Sequence, residues 1–141
     1  MSTRYRTQAI NDDGGTGISR VPAGLEVAVS NPLSADADLT RSNPEQLLAL
    51  AWATCLNATA QAIVKGAHRT AVRVEVELQD SLSRDGYEFA VTAFVSAEGK
   101  DADAVAALAE AAHQCCPVSR LLAGSETVWV RTEPWAGADV A

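Results

Sequence analysis

Three cysteines carry most of the chemistry open to this sequence: Cys55, and the adjacent Cys115 and Cys116 in the run His113-Gln114-Cys115-Cys116-Pro117. Cys55 and Cys116 stand 61 positions apart. A thiol acts as a nucleophile only as its thiolate, and two thiols brought together can cycle between dithiol and disulfide. Cysteine is also a small hydrophobe that packs well in cores. Taken singly, each of the three is open to that inert reading. An odd count with two adjacent members is a poor framework for a secreted disulfide scaffold. A reducing compartment suits it better, and there a catalytic disulfide is the form to expect.

A thiolate at Cys55 needs a cation or a ring of donors near it. The candidates are Arg20, Arg41 and His113. Glu45 lies ten residues before Cys55, about 280° around a helix turning ~100° per residue, so it does not overlie the thiol. Its chemical role would be to orient an arginine, and its structural role would be to stabilise a helix N-terminus. His113, Cys115 and Cys116 do not form a zinc set: the chain has two histidines and no Cys-x-x-Cys pair, so no metal is expected. Gly14-Gly15-Thr16-Gly17 has no lysine and reads as a turn rather than a phosphate cradle. No cofactor is expected.

The elements that must position these groups can be read from pattern. Asn43 is a cap, Pro44 suits the first helical position, and Gln46 follows the cap by three residues, which together predict a helix start. That helix should run from Pro44 to about Lys65 and stop near Gly66, about 33 Å at roughly 1.5 Å per residue. Leu47, Leu48, Leu50, Trp52, Leu56, Ile63 and Val64 leave it little polar surface. A helix apolar on several sides is covered by a sheet or by a partner subunit.

Val72, Val74, Val76 and Leu78 alternate with polar residues, and Tyr87, Phe89, Val91, Ala93 and Val95 do the same after Ser83-Arg84-Asp85-Gly86. This predicts a hairpin with one face on a core. Asp101 or Asp103 should cap a second helix reaching about Cys115, and Pro117 should break or restart it. Val128 and Val130 belong to a last strand. Tyr5–Ile10 and the Leu25, Val27, Val29 alternation predict two earlier strands, and residues 134–141 read as a loose tail. The expected fold is α+β, a mainly antiparallel sheet packed with a long central helix and a second helix, in one domain over residues 1–141.

Eleven basic against eighteen acidic residues give a net charge of -7, which disfavours nucleic acid and anionic lipid as partners. There is no signal-like N-terminus, and polar Thr54, Asn57, Thr59 and Gln61 interrupt the most apolar stretch. These features predict a cytoplasmic protein without a membrane partner.

Asn43-Pro44-Glu45-Gln46-Leu47-Leu48, Cys55 and the later His113-Gln114-Cys115-Cys116-Pro117-Val118-Ser119 together resemble the OsmC/Ohr family, that of osmotically inducible protein C and the organic hydroperoxide resistance proteins. The element order agrees from Tyr5 to Val130. The resemblance implies that Cys55 is a peroxidatic cysteine, Cys116 the resolving cysteine and Glu45 the holder of an active-site arginine. It assigns no role to Cys115. It implies a thiol-dependent peroxidase reducing organic hydroperoxides through a sulfenic acid and a Cys55–Cys116 disulfide, with a dithiol such as a lipoylated protein as reductant. It also implies an intertwined homodimer. Trp52 and Leu56 would help shape a lipophilic substrate pocket. Where the hydroperoxide branch carries Gly-Gly-Arg, this chain has Gly14-Gly15-Thr16, leaving Arg20 or Arg41 as the substitute cation. Leu56 and Val118 also depart from that branch, which points to a divergent or OsmC-like member. The alternative is a noncatalytic binding or redox-sensing dimer that kept the fold.

Overall fold

The computed structural model describes residues 2–136. They form two compact units, with the boundary between Leu47 and Leu48.

In the first unit a small antiparallel sheet has the order β1-β2-β3, with β1 at Ile10–Asn11, β2 at Ile18–Arg20 and β3 at Glu26–Ala28. The strand expected over Tyr5–Ile10 is only its last residue and Asn11. Tyr5 is 82% exposed, so the segment has no core face to bury, and only Ile10 and Asn11 find ladder partners, Arg20 and Ser19. Strand β2 was not legible in advance because it is three residues long and polar in its second half. The expected turn at Gly14–Thr16 is one turn of 3-10 helix. Gly17 follows it because a Cβ there would overlap the Asp13 side chain. Val29 is buried and bridges in parallel to Ser42. Ser42 N–H donates to Ala28 at 2.9 Å and Ser30 N–H to Ser42 at 2.9 Å, so residues 41–42 are tied beside β3.

Helix α1 spans Pro44–Val64. Asn43 caps it by accepting from the Gln46 N–H at 2.8 Å. It ends where Lys65 and Gly66 take positive φ of 54° and 73°, a conformation that costs glycine little.

In the second unit, β4 (Thr70–Asp80) pairs antiparallel with β5 (Tyr87–Ala97) over their whole lengths, Thr70 opposite Ala97 and Asp80 opposite Tyr87. This is the predicted hairpin. Strand β6 (Val128–Thr132) joins the other edge of β5 in parallel. A parallel return needs a crossover, and it is made by α2 (Ala102–Cys115) and α3 (Pro117–Leu122). Asp101 caps α2, accepting from Ala104 N–H at 2.8 Å.

The core follows from the strand period of two. Val91, Ala93, Val95 and Ala97 on one face of β5 are buried against Trp52, Leu56 and Ala60 of α1 and Val105, Leu108, Ala109 and Ala112 of α2. Trp52, Leu56 and Ala60 are spaced four apart, a single helical stripe. Outside that stripe α1 stays apolar yet uncovered, with Leu50 63% and Ile63 39% exposed. By length and composition α1 is also able to cross a membrane, a property shared by core helices of water-soluble folds. The α+β class and the two principal helices are as expected. Of the tail, Pro134–Ala136 has no regular structure, though Arg69 lies 5.4 Å over the Trp135 ring; residues 137–141 lie outside the described residues.

Candidate functional site

The position of Cys116 is built by Pro117. A proline ring excludes the helical conformation from the residue before it, and Cys116 is accordingly extended, at φ -69° and ψ 124°. Cys116 therefore closes α2, its N–H donating to Ala112 at 2.8 Å, and at the same time caps α3. Pro117 is the first residue of α3, where its missing N–H costs nothing. As the cap, Cys116 presents Sγ to the free N–H of Ser119 at 3.4 Å. Cys116 and Ser119 are both wholly buried.

Cys55 reaches the same place from α1. It sits at the margin of the Trp52, Leu56, Ala60 stripe, half-buried and packed on the core. Thus two thiols 61 positions apart pack on one core and lie close enough for each to perturb the ionisation of the other. Neither is in a disulfide; both are free thiols, as is exposed Cys115.

The two thiols are not equivalent. Burial pushes the Cys55 thiol up, the Val118 N–H opposes this, and neighbouring Cys116 adds to the rise. Burial also pushes Cys116 up, but there donors overcome it: the Ser119 N–H, the Ser119 hydroxyl, Cys55 and the Val118 N–H together hold it below the ordinary thiol value. Hydrogen bonds to the charged form favour that form. In this dithiol the surroundings of Cys116 favour its thiolate, whereas those of Cys55 disfavour it.

Trp52 and Leu56, expected to shape a substrate pocket, do not do so. Both have no exposed surface and belong to the core cluster. The indole of Trp52 instead donates to Ser119 Oγ at 2.9 Å. The His113 ring lies 6.4 Å from the Trp52 ring, tilted by 52°, and its Nδ1 is buried without a partner among the described residues. A groove of about 640 Å³ is lined by Glu110, His113, Val130 and Arg131 together with Ala106, Ala109 and Thr132. Neither Cys55 nor Cys116 lines it. Among the described residues no cluster of three metal-ligating side chains occurs.

The first unit separates the two arginine candidates. Arg20 is ion-paired to Asp12 at 3.1 Å. Arg41 is paired to Asp38 at 3.4 Å, and its Nη1 donates to the Thr16 carbonyl at 3.4 Å. Arg41 thus brings a guanidinium to the loop position at which this sequence lacks its arginine. Glu45, in the first turn of α1, has one carboxylate oxygen buried without a hydrogen-bond partner among the described residues. Sequence reasoning missed Ser119 and the true role of Trp52. The proline three residues after position 114 located the cap, but which N–H it would face is a consequence of α3, too short to announce itself.

Residues 35–131 match the family model described as OsmC-like protein. The chain belongs to the OsmC/Ohr family. The organic hydroperoxide resistance protein OhrA of Bacillus subtilis is 34% identical over 105 residues, which cover 72% of this chain and 74% of that protein. A solved structure of a Lactobacillus casei protein shares 37% identity at a TM-score of 0.85, covering 96% of this chain and 94% of that one. The organic hydroperoxide resistance protein OhrB of Bacillus subtilis superposes with a TM-score of 0.83 at 26% identity, over 94% of this chain and all of its own, 100%. The OsmC/Ohr fold therefore accounts for the whole order of elements, from the small first sheet through α1 to the hairpin and its crossover.

Proposed function

We propose that this chain is a thiol-dependent peroxidase that reduces organic hydroperoxides through a Cys55–Cys116 disulfide. The observation that carries the reading is the approach of two free thiols, Cys55 on α1 and Cys116 at the α2–α3 junction, close enough for each to perturb the other's ionisation. Two relatives named for organic hydroperoxide resistance support the substrate class.

The steps balance as follows. Cys55, as thiolate, attacks the distal oxygen of ROOH; the O–O bond breaks, alkoxide leaves and takes up a proton as ROH, and Cys55 becomes a sulfenic acid. The Cys116 thiolate then attacks the Cys55 sulfur, expelling hydroxide, which leaves as water, and forming the disulfide. An external dithiol, of which a lipoylated protein is an example, returns both thiols by exchange and is itself oxidised.

Because the resting charge favours Cys116, Cys55 needs a cation to ionise as it attacks. Arg41 is the better candidate, since beyond its pair with Asp38 it also reaches the Thr16 carbonyl, whereas Arg20 is paired with Asp12. Glu45, with its unpartnered buried oxygen, is the proposed holder of that guanidinium, because a buried carboxylate without a donor is costly. The uncovered apolar side of α1 supports a homodimer. The odd number of cysteines, two of the three adjacent, supports a reducing, cytoplasmic location.

A second reading is favoured by one observation. Burial holds Cys55 in its protonated form, which slows peroxide attack and suits a redox-sensing dimer with little turnover. Consumption of cumene hydroperoxide, tert-butyl hydroperoxide and hydrogen peroxide, with dihydrolipoamide as reductant, separates the two. Turnover should vanish in Cys55→Ser, and Cys116→Ser should accumulate a Cys55 sulfenic acid. Arg41→Ala should lower turnover more than Arg20→Ala. A folded, fully reduced protein that consumes no peroxide would sink the enzymatic reading; stoichiometric disulfide formation without turnover would establish the sensor.

A further inference from the structure

The core of the second unit contains a polar chain that ends on a thiol. Trp52, Ser119 and Cys116 are wholly buried, and they come from α1 and from both ends of the α2–α3 junction. Trp52 Nε1 donates to Ser119 Oγ at 2.9 Å, and Ser119 N–H donates to Cys116 Sγ at 3.4 Å. An indole N–H is a donor only, so the Ser119 hydroxyl must be the acceptor in the first bond. Its own hydrogen is then free for another acceptor, and the sulfur that the N–H of the same residue already engages is Cys116 Sγ. The direction of the first bond is set by the indole and that of the second by the Ser119 backbone amide, since neither N–H can accept.

We propose that Trp52 and Ser119 are positioning residues that orient the Ser119 hydroxyl onto Cys116 Sγ, so that Cys116 enters the disulfide-forming step as a thiolate. The catalytic meaning rests on the peroxidase reading above. The ionisation itself does not, because it is a property of the reduced protein without peroxide.

The neighbours leave few rivals for this role. Of the groups packed around Cys116, Cys55 of α1 is titratable and acts as a donor. In the last turn of α2 stands His113, whose ring lies beside Trp52. On α3, Arg120 donates to the Gln114 carbonyl at 2.9 Å. Strand β5 offers Val91, Ala93, Val95 and Ala97 to this core, with Phe89 packed at its margin, and none of these is titratable. The depression of the Cys116 thiol below its ordinary range by the Ser119 N–H and hydroxyl, against the opposing effect of burial, agrees with the geometry.

The test uses the full chain carrying Cys55→Ser and Cys115→Ser, so that Cys116 is its one thiol, and reads thiolate by its ultraviolet absorbance against pH, with Cys116→Ser as the blank. Adding Ser119→Ala removes the hydroxyl but keeps the N–H. The thiolate fraction at neutral pH should fall on the order of tenfold, equivalent to about 1.4 kcal/mol, the range of one hydrogen bond to a charged group. Trp52→Phe keeps an aromatic ring in the core while freeing the hydroxyl to rotate, and should move the titration the same way by less; it carries the test if Ser119→Ala does not fold. In the chain with Cys55 and Cys116 intact, single-turnover oxidation should show Ser119→Ala slowing disulfide closure but not sulfenic acid formation. A Cys116 titration unmoved by the folded variants overturns the proposal, whatever the peroxidase activity. A moved titration in a protein without turnover would leave the pair standing and remove the peroxidase reading.

Discussion

The buried bond between Trp52 and Ser119 makes a sharp energetic prediction. Trp52→Phe removes the indole donor and leaves about 40 Å³ unfilled, which at about 24 cal/mol per Å³ costs roughly 1 kcal/mol. The lost bond and the acceptor left in a site with no exposed surface add about 1–2 kcal/mol, for a total of about 2–3 kcal/mol. Ser119→Ala instead strands the indole N–H, at about 1–3 kcal/mol. Once either partner has gone, losing the other forfeits no further bond, so the double variant should be about 1 kcal/mol more stable than the two single effects summed. Urea unfolding at one fixed protein concentration measures this, provided the slope with denaturant is unchanged across the four proteins. Additivity within about 0.5 kcal/mol would mean that the 2.9 Å contact contributes nothing, and would refute the reasoning.

Two other outcomes can be checked. Asp101→Ala should destabilise by about 1 kcal/mol by removing the cap of α2, and Asp101→Asn should recover most of that in the same unfolding measurement. For the dithiol, the sign follows from proton binding: Cys116, lowered in the folded state, adds stability that is complete above the ordinary thiol value and lost as pH falls through the folded one. Cys55, raised in the folded state, contributes stability present below the ordinary value and lost as pH rises through its folded one. The stability of the wild-type chain over the Cys55→Ser, Cys116→Ser double variant should therefore climb toward about pH 8.5 and decline beyond it; a monotonic fall from neutral pH contradicts the assignment.

What could be read from residues alone was set by short-range physics. Asn43 and Pro44 start α1 because a cap and a fixed φ act within one turn, and the alternation through Val72–Leu78 and Tyr87–Val95 makes a hairpin because period two buries one face. Pro117 ends α2 because its ring clashes with the residue before it. These signals, with the cysteine and Glu45 motifs, sufficed for the α+β class and for the family. The same rules overextended β1, since the Tyr5–Ile10 segment has no core to face, and Trp52, expected as an apolar neighbour of Cys55 at a pocket, lies wholly in the core.

The structure alone decided how distant groups meet. The thiols of α1 and the α2–α3 junction come together only because both elements pack on the core beside β5, and no local pattern encodes that docking. It also decided the order of their ionisation, since the number of donors around each sulfur depends on where α3 begins in space. The surroundings of the two arginines likewise came from the structure: Arg41, paired with Asp38, also reaches the Thr16 carbonyl, while Asp12 engages Arg20. Sequence determined which reactive groups exist and which elements carry them; long-range packing determined which sulfur is surrounded by donors and which carries the proton.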